Sequence, residues 1–531
     1  MSVRNSIVLS LALFTLALLV GCGSSSPKAV APPSGGFSDS NLMGTYVFSS
    51  TGVDSTGGLF LTAVGSLAAD GKGGINSGGT VDIVGASFAA TSPVAQPITG
   101  GSYSVGVDGR GQIHFNTTTS GGAITITLDF VLTSSKHGLI TEFDGNGTGS
   151  GTIDLQTSVS QNQLAGSYSF GFAGTGTDGL TPFATVGAFT LDSTGAVTTG
   201  QEDVNNAGGY SGAPSSILTT STVHLGTTPG TATINSAGIS YTFDVYPIDS
   251  THLKFIETDL QLIVSGDAYT QGTSIPSGQL VFTMAGVETA TGVSTPIDVG
   301  GYLTNSSGTI TAGLEDYNDG GVANTDASTP GGGFSALSGG RSQLTLTGFV
   351  NGAANDLPGT YIFAAYPFTF SGGSGIQLLE IDNLGVTSGA AYPQTATSLA
   401  ASQGYGLNLT GFNGVEEDDI AEFVSSSGGF TGIVDLNDGG TTLSFDKALT
   451  TSTYIAPDSN GRGGAATSYF GFNFYVVNSS TFILLETDST QVGVGTFELQ
   501  NASSAAPASA LPAVALGHPA MSPHAALRRK Q

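Results

Sequence analysis

The chain has 531 residues, of which 81 are glycine and only 10% are charged. Its formal net charge of -27 argues against a protein that clamps nucleic acid, because phosphate binding requires clustered Lys and Arg. A single cysteine and the lack of tryptophan in the sequence exclude a disulfide scaffold, a cysteine-ligated zinc site and sugar-binding faces built on Trp.

An N-terminal targeting signal occupies residues 1–21. A basic start at Arg4 precedes a short apolar run, which is typical of a secretory signal. The run ends at residues 19–22 in the letters LVGC, which resemble the lipobox of bacterial lipoproteins. The resemblance implies cleavage before Cys22 and lipid attachment to its thiol. Since Gly23 follows instead of Asp, it also implies the outer membrane if the host is Gram-negative.

Four phrases recur along the chain in one order, which indicates tandem repeats. The opening phrase Leu-x-Gly-x-Tyr-x-Phe stands at residues 42–48 and 164–170. A glycine phrase begins at Gly65, Gly187 and Gly300, with Ala421 in the fourth copy. A Gly-x-x-Asp phrase ends at Asp82, Asp203, Asp316 and Asp435. A Glu-x-Asp phrase consists of Glu142 and Asp144, Glu257 and Asp259, Glu380 and Asp382, and Glu486 and Asp488.

The repeats predict a chain of four modules between two unstructured ends. Residues 22–36 are rich in Ser, Gly and Pro and predict a flexible tether. The Ala-, Pro- and Ser-rich residues 501–531 predict a disordered tail. We expect few contacts between the modules, as between ordinary tandem domains. We place the four units at residues 37–157, 163–275, 277–397 and 402–500.

Apolar residues alternate with mostly polar ones inside each unit, as at residues 124–132 and 470–476. This period of two is typical of antiparallel strands with one face on a core. Asp-Gly and Asn-Gly hairpin signals separate the runs. We therefore predict an all-β fold in which each unit is an antiparallel up-and-down meander closed into a small barrel. Immunoglobulin-like sandwiches and a propeller of half-unit blades are the alternatives.

Two short phrases connect the body, residues 37–500, with a known group of proteins. Gly-Thr-Tyr-x-Phe stands at residues 44–48, and Asp-Gly-Arg-Gly stands at residues 108–111. The body resembles the Gly-rich repeat lipoproteins of environmental bacteria, which carry such phrases and are largely uncharacterised. The resemblance implies secretion and β structure, and it implies no activity.

The Glu-x-Asp phrase places two carboxylates on one face of a strand, since residues two apart point the same way. Such a pair can serve acid–base or glycosidic chemistry. Because an active site is usually single and this pair is fourfold, we interpret its carboxylates as structural partners of backbone amides or arginine. Arg110, Arg341 and Arg462 occupy the same turn of units 1, 3 and 4, which predicts pairing with these carboxylates. The alternative is that the three arginine side chains are exposed to solvent on a hairpin and have no structural partner.

Turns rich in Asp and Asn follow the Gly-x-x-Asp phrase. Oxygen ligands in a glycine-containing loop can hold Ca²⁺, but EF-hand spacing fails because Gly320 takes the fifth position and Ala327 the twelfth. Plain Asx turns explain these residues, and a weak extracellular calcium site is the alternative. Its candidate ligands are Asp316, Asn318, Asp319, Asp435, Asn437 and Asp438.

These observations predict a non-catalytic, lipid-anchored protein of the cell envelope, displaying tandem β-domains for binding, adhesion or envelope structure. Two alternatives stay open: a carrier of small hydrophobic molecules inside a barrel, and a secreted hydrolase that uses carboxylates. No catalytic residue and no cofactor is predicted, and calcium is the alternative that stays open. The expected partners are the membrane, through the lipid on Cys22, and an unidentified extracellular or envelope ligand. Histidines occur in units 1 and 2 alone and are interpreted as solvated or core residues: His114, His137, His224 and His252.

Overall fold

A computed structural model describes most of the body of the chain. The predicted signal peptide, Cys22, and most of the tether and tail lie outside the described residues. Within the described part, no helix is long and apolar enough to cross a membrane. Four short 3₁₀ turns occur there, at Asp39–Asn41, Ala86–Phe88, Gln161–Leu164 and Ser338–Gly340. The described residues are 29–32, 36–88, 95–119, 122–226, 228–236, 239–288, 295–328, 331–349, 359–489 and 491–503.

The first barrel contains eight strands in antiparallel order, with one short strand added at its edge. Consecutive strands pair, β1 pairs with both β2 and β9, and β3 pairs with β5, so that the sheet closes. The added strand β4 pairs with β3. The strands are β1 (Met43–Asp54), β2 (Phe60–Asp70), β3 (Gly74–Gly85), β4 (Gln96–Ile98), β5 (Gly100–Val105), β6 (Arg110–Thr119), β7 (Gly122–Leu132), β8 (His137–Phe143) and β9 (Gly147–Leu155).

The second barrel repeats this plan, and its closure is the pairing of β10 with β19. Two very short strands, β13 and β14, line up on β12, and a bridge from Ala196 to Thr222 continues the sheet to β15. The strands are β10 (Gly166–Gly176), β11 (Pro182–Leu191), β12 (Val197–Asn206), β13 (Gly209–Tyr210), β14 (Ser215–Ser216), β15 (Thr222–His224), β16 (Gly230–Ser236), β17 (Ile239–Asp249), β18 (His252–Glu257) and β19 (Leu262–Gln271).

The third barrel closes through β20 and β28, and the fourth through β29 and β36. The third comprises β20 (Gly278–Glu288), β21 (Thr295–Ser306), β22 (Thr309–Asp319), β23 (Val322–Ser328), β24 (Gly331–Ala336), β25 (Ser342–Phe349), β26 (Gly359–Phe370), β27 (Gly373–Glu380) and β28 (Gly385–Pro393). The fourth comprises β29 (Gly404–Phe412), β30 (Glu416–Ser426), β31 (Gly429–Asp438), β32 (Thr442–Ile455), β33 (Arg462–Thr467), β34 (Gly471–Val476), β35 (Thr481–Glu486) and β36 (Val492–Leu499).

The prediction of an all-β fold with tandem up-and-down barrels is confirmed. Consecutive strands pair antiparallel and the first strand of each barrel pairs with the last, whereas a sandwich would leave two separate sheets. Each barrel encloses its own core of buried aliphatic and aromatic side chains. The alternatives of immunoglobulin-like sandwiches and a propeller are therefore not the observed architecture.

The repeated glycine makes room for a phenylalanine inside the barrel. A Cβ at Gly65 would meet the ring of Phe48 at 2.7 Å, and one at Gly187 would meet Phe170 at 2.5 Å. In the fourth barrel the residue opposite Ala421 is Leu407, a narrower side chain, which explains why alanine is tolerated there.

The third copy of this glycine phrase has a different register from the one that the sequence suggests. The residue that faces the ring of Phe282 is Gly301, whose Cβ would lie 2.8 Å from it. Gly300 faces outward, toward the ring of Tyr475 in the fourth barrel.

The four barrels are packed in a closed ring, with contacts at four junctions that we name by the barrels they join. At the first–second junction the hydroxyls of Thr62 and Ser265 are 2.6 Å apart. At the second–third junction β19 pairs with β26 over two residues. Barrels three and four pack through β21, β22, β35 and β36, and barrels four and one through β8, β9, β29 and β30. The expectation of few contacts between units is therefore wrong.

The chain ends that are described pack against this ring. Pro32, in the predicted tether, is buried. Asn501 donates its backbone N–H to the carbonyl of Thr133, and Ala502 packs against the core of the first barrel. The first residues of the predicted tail are therefore ordered.

Candidate functional site

The arginines join different barrels and do not pair with the Glu-x-Asp carboxylates, so that prediction is wrong. Arg341 donates two hydrogen bonds to Asp203 of the second barrel, at 2.6 and 2.8 Å. Arg462 contacts Asp316 of the third barrel in the same bidentate way, at 2.8 and 2.9 Å. In both cases the partner is the aspartate of the Gly-x-x-Asp phrase in the preceding unit.

Arg110 of the first barrel completes the series by reaching the fourth barrel. Its Nη1 atom lies 2.9 Å from Asp435 and its Nη2 atom lies 2.8 Å from Asp446. Its Nε atom also contacts Asp108 in its own turn, at 3.2 Å. Since unit 4 precedes unit 1 around the ring, the rule of pairing with the preceding unit holds across the ring closure. These contacts exclude the alternative that the arginine side chains are merely exposed on a hairpin.

An asparagine two residues after each of these aspartates forms a second contact across the same junction. Asn205 donates to the carbonyls of Glu380 and Gly385, both at 2.8 Å. Asn437 donates to the carbonyls of Glu142 and Gly147, at 2.6 and 3.0 Å. Asn318 donates to the carbonyl of Gln491 at 2.8 Å, and at longer range to those of Glu486 and Asp488. We call the Arg–Asp pair together with this asparagine the clasp.

The first–second junction has no clasp. Unit 2 has no arginine in the corresponding turn, residues 225–230, and unit 1 has Val84 where the others have asparagine. Asp82 instead accepts a hydrogen bond from the Tyr246 hydroxyl at 2.6 Å. An apolar cluster surrounds this contact and includes Val47, Val53, Phe60, Val64, Val84, Tyr246, Ile248, Ile256 and Ile263.

The protonation of Asp82 also sets this junction apart. Burial and the neighbouring Asp244 carboxylate raise the pKa of Asp82 from 3.8 to about 8. An arginine beside the carboxylate would oppose such a rise, because an opposite charge favours the ionised form. The first–second junction is thus held by a protonatable carboxyl group within an apolar contact.

The Glu-x-Asp phrase lies at corresponding positions in all four barrels, near the ends of strands β8, β18, β27 and β35. Each aspartate accepts a backbone N–H from the neighbouring strand, at 2.6 to 2.8 Å, and the donors are Thr127, Thr242, Ile362 and Gly471 for Asp144, Asp259, Asp382 and Asp488. Each glutamate is buried. Burial is the main cause that raises the glutamate pKa, to about 8 for Glu142 and about 9 for Glu257. The four aspartates thus share one kind of contact with the backbone.

The calcium candidates belong mostly to the clasps. Asp316 and Asp435 are paired with arginine, and the amides of Asn318 and Asn437 donate to carbonyls of another barrel. Asp319 and Asp438 lie three residues beyond Asp316 and Asp435, where their strands end. Among the residues described, no group of three or more His, Cys, Asp or Glu side chains is placed to hold a metal ion.

A cavity of about 100 Å³ lies where the four barrels meet, at the centre of the ring. All four barrels contribute to its wall, which alternates hydroxyl groups with glycine and apolar side chains. Two carboxylic side chains also reach it. The polar residues that matter most are Ser50, Asp267, Thr283, Tyr392, Thr410 and Glu498. This cavity was not foreseen, because it exists only between barrels.

A buried network of charges supports one side of the cavity wall. His137 lies 2.6 Å from Asp154 within the first barrel and 3.2 Å from Glu498 of the fourth. Burial opposes its protonation, but the two carboxylates outweigh burial and raise the pKa of His137 to about 10. The interpretation of His137 as a core residue holds for its burial, but it misses that the side chain is a charged contact between barrels.

A second group of charges lies behind Asp267. His252 Nε2 lies 2.6 Å from Asp267 Oδ1, and Lys254 Nζ donates to the same oxygen at 3.1 Å. Lys254 is fully buried. Burial opposes ionisation of Asp267, yet the charges of Lys254 and His252 lower its pKa. The cavity is therefore lined by a carboxylate whose partners, Lys254 and His252, do not themselves line it.

Comparison with known proteins leaves the chain without an assigned family. No family model matches the sequence, and no curated protein matches it. Among solved structures, a protein named AttH from Nitrosomonas europaea shares 10% identity over 42% of this chain and 93% of its own, with a TM-score of 0.16.

Two structures of transferrin-binding protein B are similar at the same level. Intact Ap-TbpB, with its N and C lobes, shares 10% identity over 69% of this chain and 84% of its own, at a TM-score of 0.16. A mutant of the protein from Haemophilus parasuis shares 9% identity over 68% and 83%, also at 0.16. Such scores do not establish a common overall arrangement.

Proposed function

We propose that this protein is a lipid-anchored binding or structural component of the cell envelope, on the outer membrane if the host is Gram-negative, and not a catalyst. In this proposal the lipid on Cys22 joins the chain to the membrane, and the ring of four barrels is displayed as one rigid body outside the cytoplasm. The sequence at residues 1–22 supports the anchor, and the closed ring supports the rigid body.

The observation that carries the proposal is the use of the charged side chains in building the ring. The arginines that recur in three units each bind the aspartate of a neighbouring barrel. Buried ion pairs that are fully hydrogen-bonded specify one arrangement, because any other leaves a charge without its partner. A body with fixed barrel positions suits recognition or envelope architecture, since it presents the same surface at all times.

The hydrolase alternative is less well supported by the carboxylates that suggested it. Each aspartate of the Glu-x-Asp phrase accepts a backbone N–H in the same geometry. A catalytic pair would be expected to differ in one unit, because a site needs a cleft and a substrate. The fourfold equivalence favours a structural role.

The alternative of a hydrophobic carrier needs a hollow barrel. The cores contain large aromatic side chains, such as Phe430, Phe472 and Phe497 in the fourth barrel. The cavities found inside the first and second barrels measure about 30 and 10 Å³. An apolar cavity that binds benzene is near 150 Å³, so these spaces are too small for such a cargo.

The anchor is tested by metabolic labelling with a fatty-acid analogue, followed by fractionation of the cells. The full chain should be labelled and recovered with membranes, whereas Cys22→Ala should be unlabelled and retain its signal peptide. Ser24→Ala is the matched control and should behave as the unmodified chain. Equal labelling of all three proteins would contradict the lipoprotein assignment, and turnover of glycosides or esters by the purified protein would contradict the non-catalytic role.

A further inference from the structure

We propose that the central cavity of the ring is a binding site for a small uncharged polyhydroxyl compound. This inference rests on the proposed binding role and gives it a location and a ligand class. It depends on the cavity and its wall, and it is independent of whether Cys22 carries a lipid.

The position of the cavity makes it a property of the whole ring. Ser50 comes from the first barrel, Asp267 from the second, Thr283 from the third and Glu498 from the fourth. Four separate modules would not form this wall. A site at the meeting point of several domains is a common place for ligand binding, since converging surfaces provide groups from different directions.

The wall includes hydroxyl groups that make no hydrogen bond within the described part of the chain, and Thr283 carries one of them. The hydroxyl of Thr283 is buried, with the residue 3% exposed, and it has no hydrogen-bond partner among the residues that the structure describes. A buried hydroxyl without a partner is destabilising, because it has lost its hydration. A ligand hydroxyl in the cavity would restore the missing bond.

The charges around the cavity decide the class of ligand. The wall presents Asp267 and Glu498, and the side chains of His137, His252 and Lys254 contact these carboxylates. An anionic ligand would face carboxylates directly and is disfavoured. A cationic ligand has less to gain, because the carboxylates already have partners. Neutral hydroxyl groups fit best, since they donate to carboxylates and exchange hydrogen bonds with the wall hydroxyls.

The size of the cavity limits the ligand further. One water needs about 10–15 Å³ of solvent-sized space, so a cavity of about 100 Å³ holds several waters or a solute of about three to six carbons. Apolar wall residues such as Leu139, Ile483 and Val494 match the carbon skeleton of such a compound. Glycerol, erythritol, ribose and glucose span the appropriate range of sizes.

Isothermal titration calorimetry of the full chain with glycerol, erythritol, ribose and glucose tests the site. At least one of these compounds should bind saturably. Thr283→Val, which removes the hydroxyl and keeps the shape, should weaken that binding by about tenfold, the effect of one hydrogen bond. Thr283→Ser should retain it. The matched control is Thr309→Val, an exposed threonine on the same barrel, which should leave binding unchanged.

Several results would overturn the site. These are binding of none of the four compounds, equal binding by Thr283→Val and Thr309→Val, or saturable binding of ethanolamine or lactate in place of the polyols. A thermal melt of each variant shows that it is folded. A loss of binding that Thr283→Ser does not restore also contradicts the role of the hydroxyl. Because these titrations do not depend on lipidation, their failure is distinguishable from a failure of the anchor.

Discussion

The first–second junction and the other three junctions hold neighbouring barrels together with different contacts. Three junctions use an arginine that binds an aspartate and an asparagine that binds two or more backbone carbonyls. The first–second junction uses Asp82, Tyr246 and a cluster of apolar side chains. Barrels one and four are distant in sequence and still share a clasp, so the clasp follows the ring and not the connectivity of the chain.

The comparison of the junctions also connects two residues that are missing from different repeats. Unit 2 lacks the arginine and unit 1 lacks the asparagine. In the sequence these are separate departures in separate units. In the ring both positions face the same junction, so the two departures together account for the missing clasp there.

The largest difference is expected between two matched aspartate substitutions. Asp203→Asn leaves the buried Arg341 without its counter-charge, which should lower the free energy of unfolding by about 3–5 kcal/mol. Asp82→Asn replaces a protonatable carboxyl that has no arginine, and the amide can still accept from Tyr246, so at about pH 4, below the range in which ionisation of Asp82 lowers stability, it should cost less than about 1 kcal/mol. Chemical denaturation of the two full-length variants at that pH measures both. Equal losses would mean that the two junctions do not differ in the way proposed.

The asparagine of the clasp is expected to contribute an intermediate amount. Asn437→Val gives the fourth–first junction the residue that unit 1 has at position 84. Because the carbonyls of Glu142 and Gly147 would lose their donor, the variant should lose about 1–3 kcal/mol of stability. Hydrogen exchange should show faster opening at this junction than at the second–third junction. An unchanged stability would show that water replaces the amide without cost.

The pH dependence should single out the first–second junction. The pKa of Asp82 is raised in the folded chain from 3.8 to about 8, so the folded state holds a proton that the unfolded state releases. Its contribution is therefore complete below about pH 4, declines as the pH rises and is lost above about pH 8, by up to about 1.4 kcal/mol per pH unit. Asp82→Asn cannot titrate there.

The variant should consequently gain stability relative to the unmodified chain between pH 5 and 8, and the gain should stop above that range. Thermal melts of the two proteins at a series of pH values measure the difference in their stability. A stability difference that does not change with pH would show that Asp82 ionises normally in the folded chain.

The smallest effects on stability are expected from substitutions of the Glu-x-Asp glutamates. These residues lie inside each barrel's repeat, so their substitution should not distinguish one junction from another. Burial raises the pKa of Glu142 to about 8 and that of Glu257 to about 9, so both are largely protonated at pH 7. Glutamine resembles the protonated acid, and Glu142→Gln and Glu257→Gln should each change the stability by less than about 1 kcal/mol. Thermal melts at pH 7 check this. A large loss in only one of them would give that unit a special role.

Much of the fold follows from local patterns in the sequence. The alternation of apolar residues at positions 124–132 predicts a strand with one face on a core, and the same run is part of β7. The repeated phrases predict the number of barrels because each phrase has the same place in a barrel. The partners of the clasp could not be read in this way, since an Arg–Asp pair 138 or 146 residues apart leaves no spacing rule in a single sequence.

The sequence by itself determined the strands of each module by periodicity and the turns by glycine, and it favoured a closed barrel over a sandwich or a propeller. Only the tertiary structure decided how the modules meet. A residue such as Asp316 has the local signature of a turn or a calcium ligand, and its role as the partner of Arg462 appears only when barrels three and four are in contact. The central cavity depends on that same assembly. Strand patterns are set by neighbours along the chain, whereas the ring is set by surfaces that come together only after the barrels have closed.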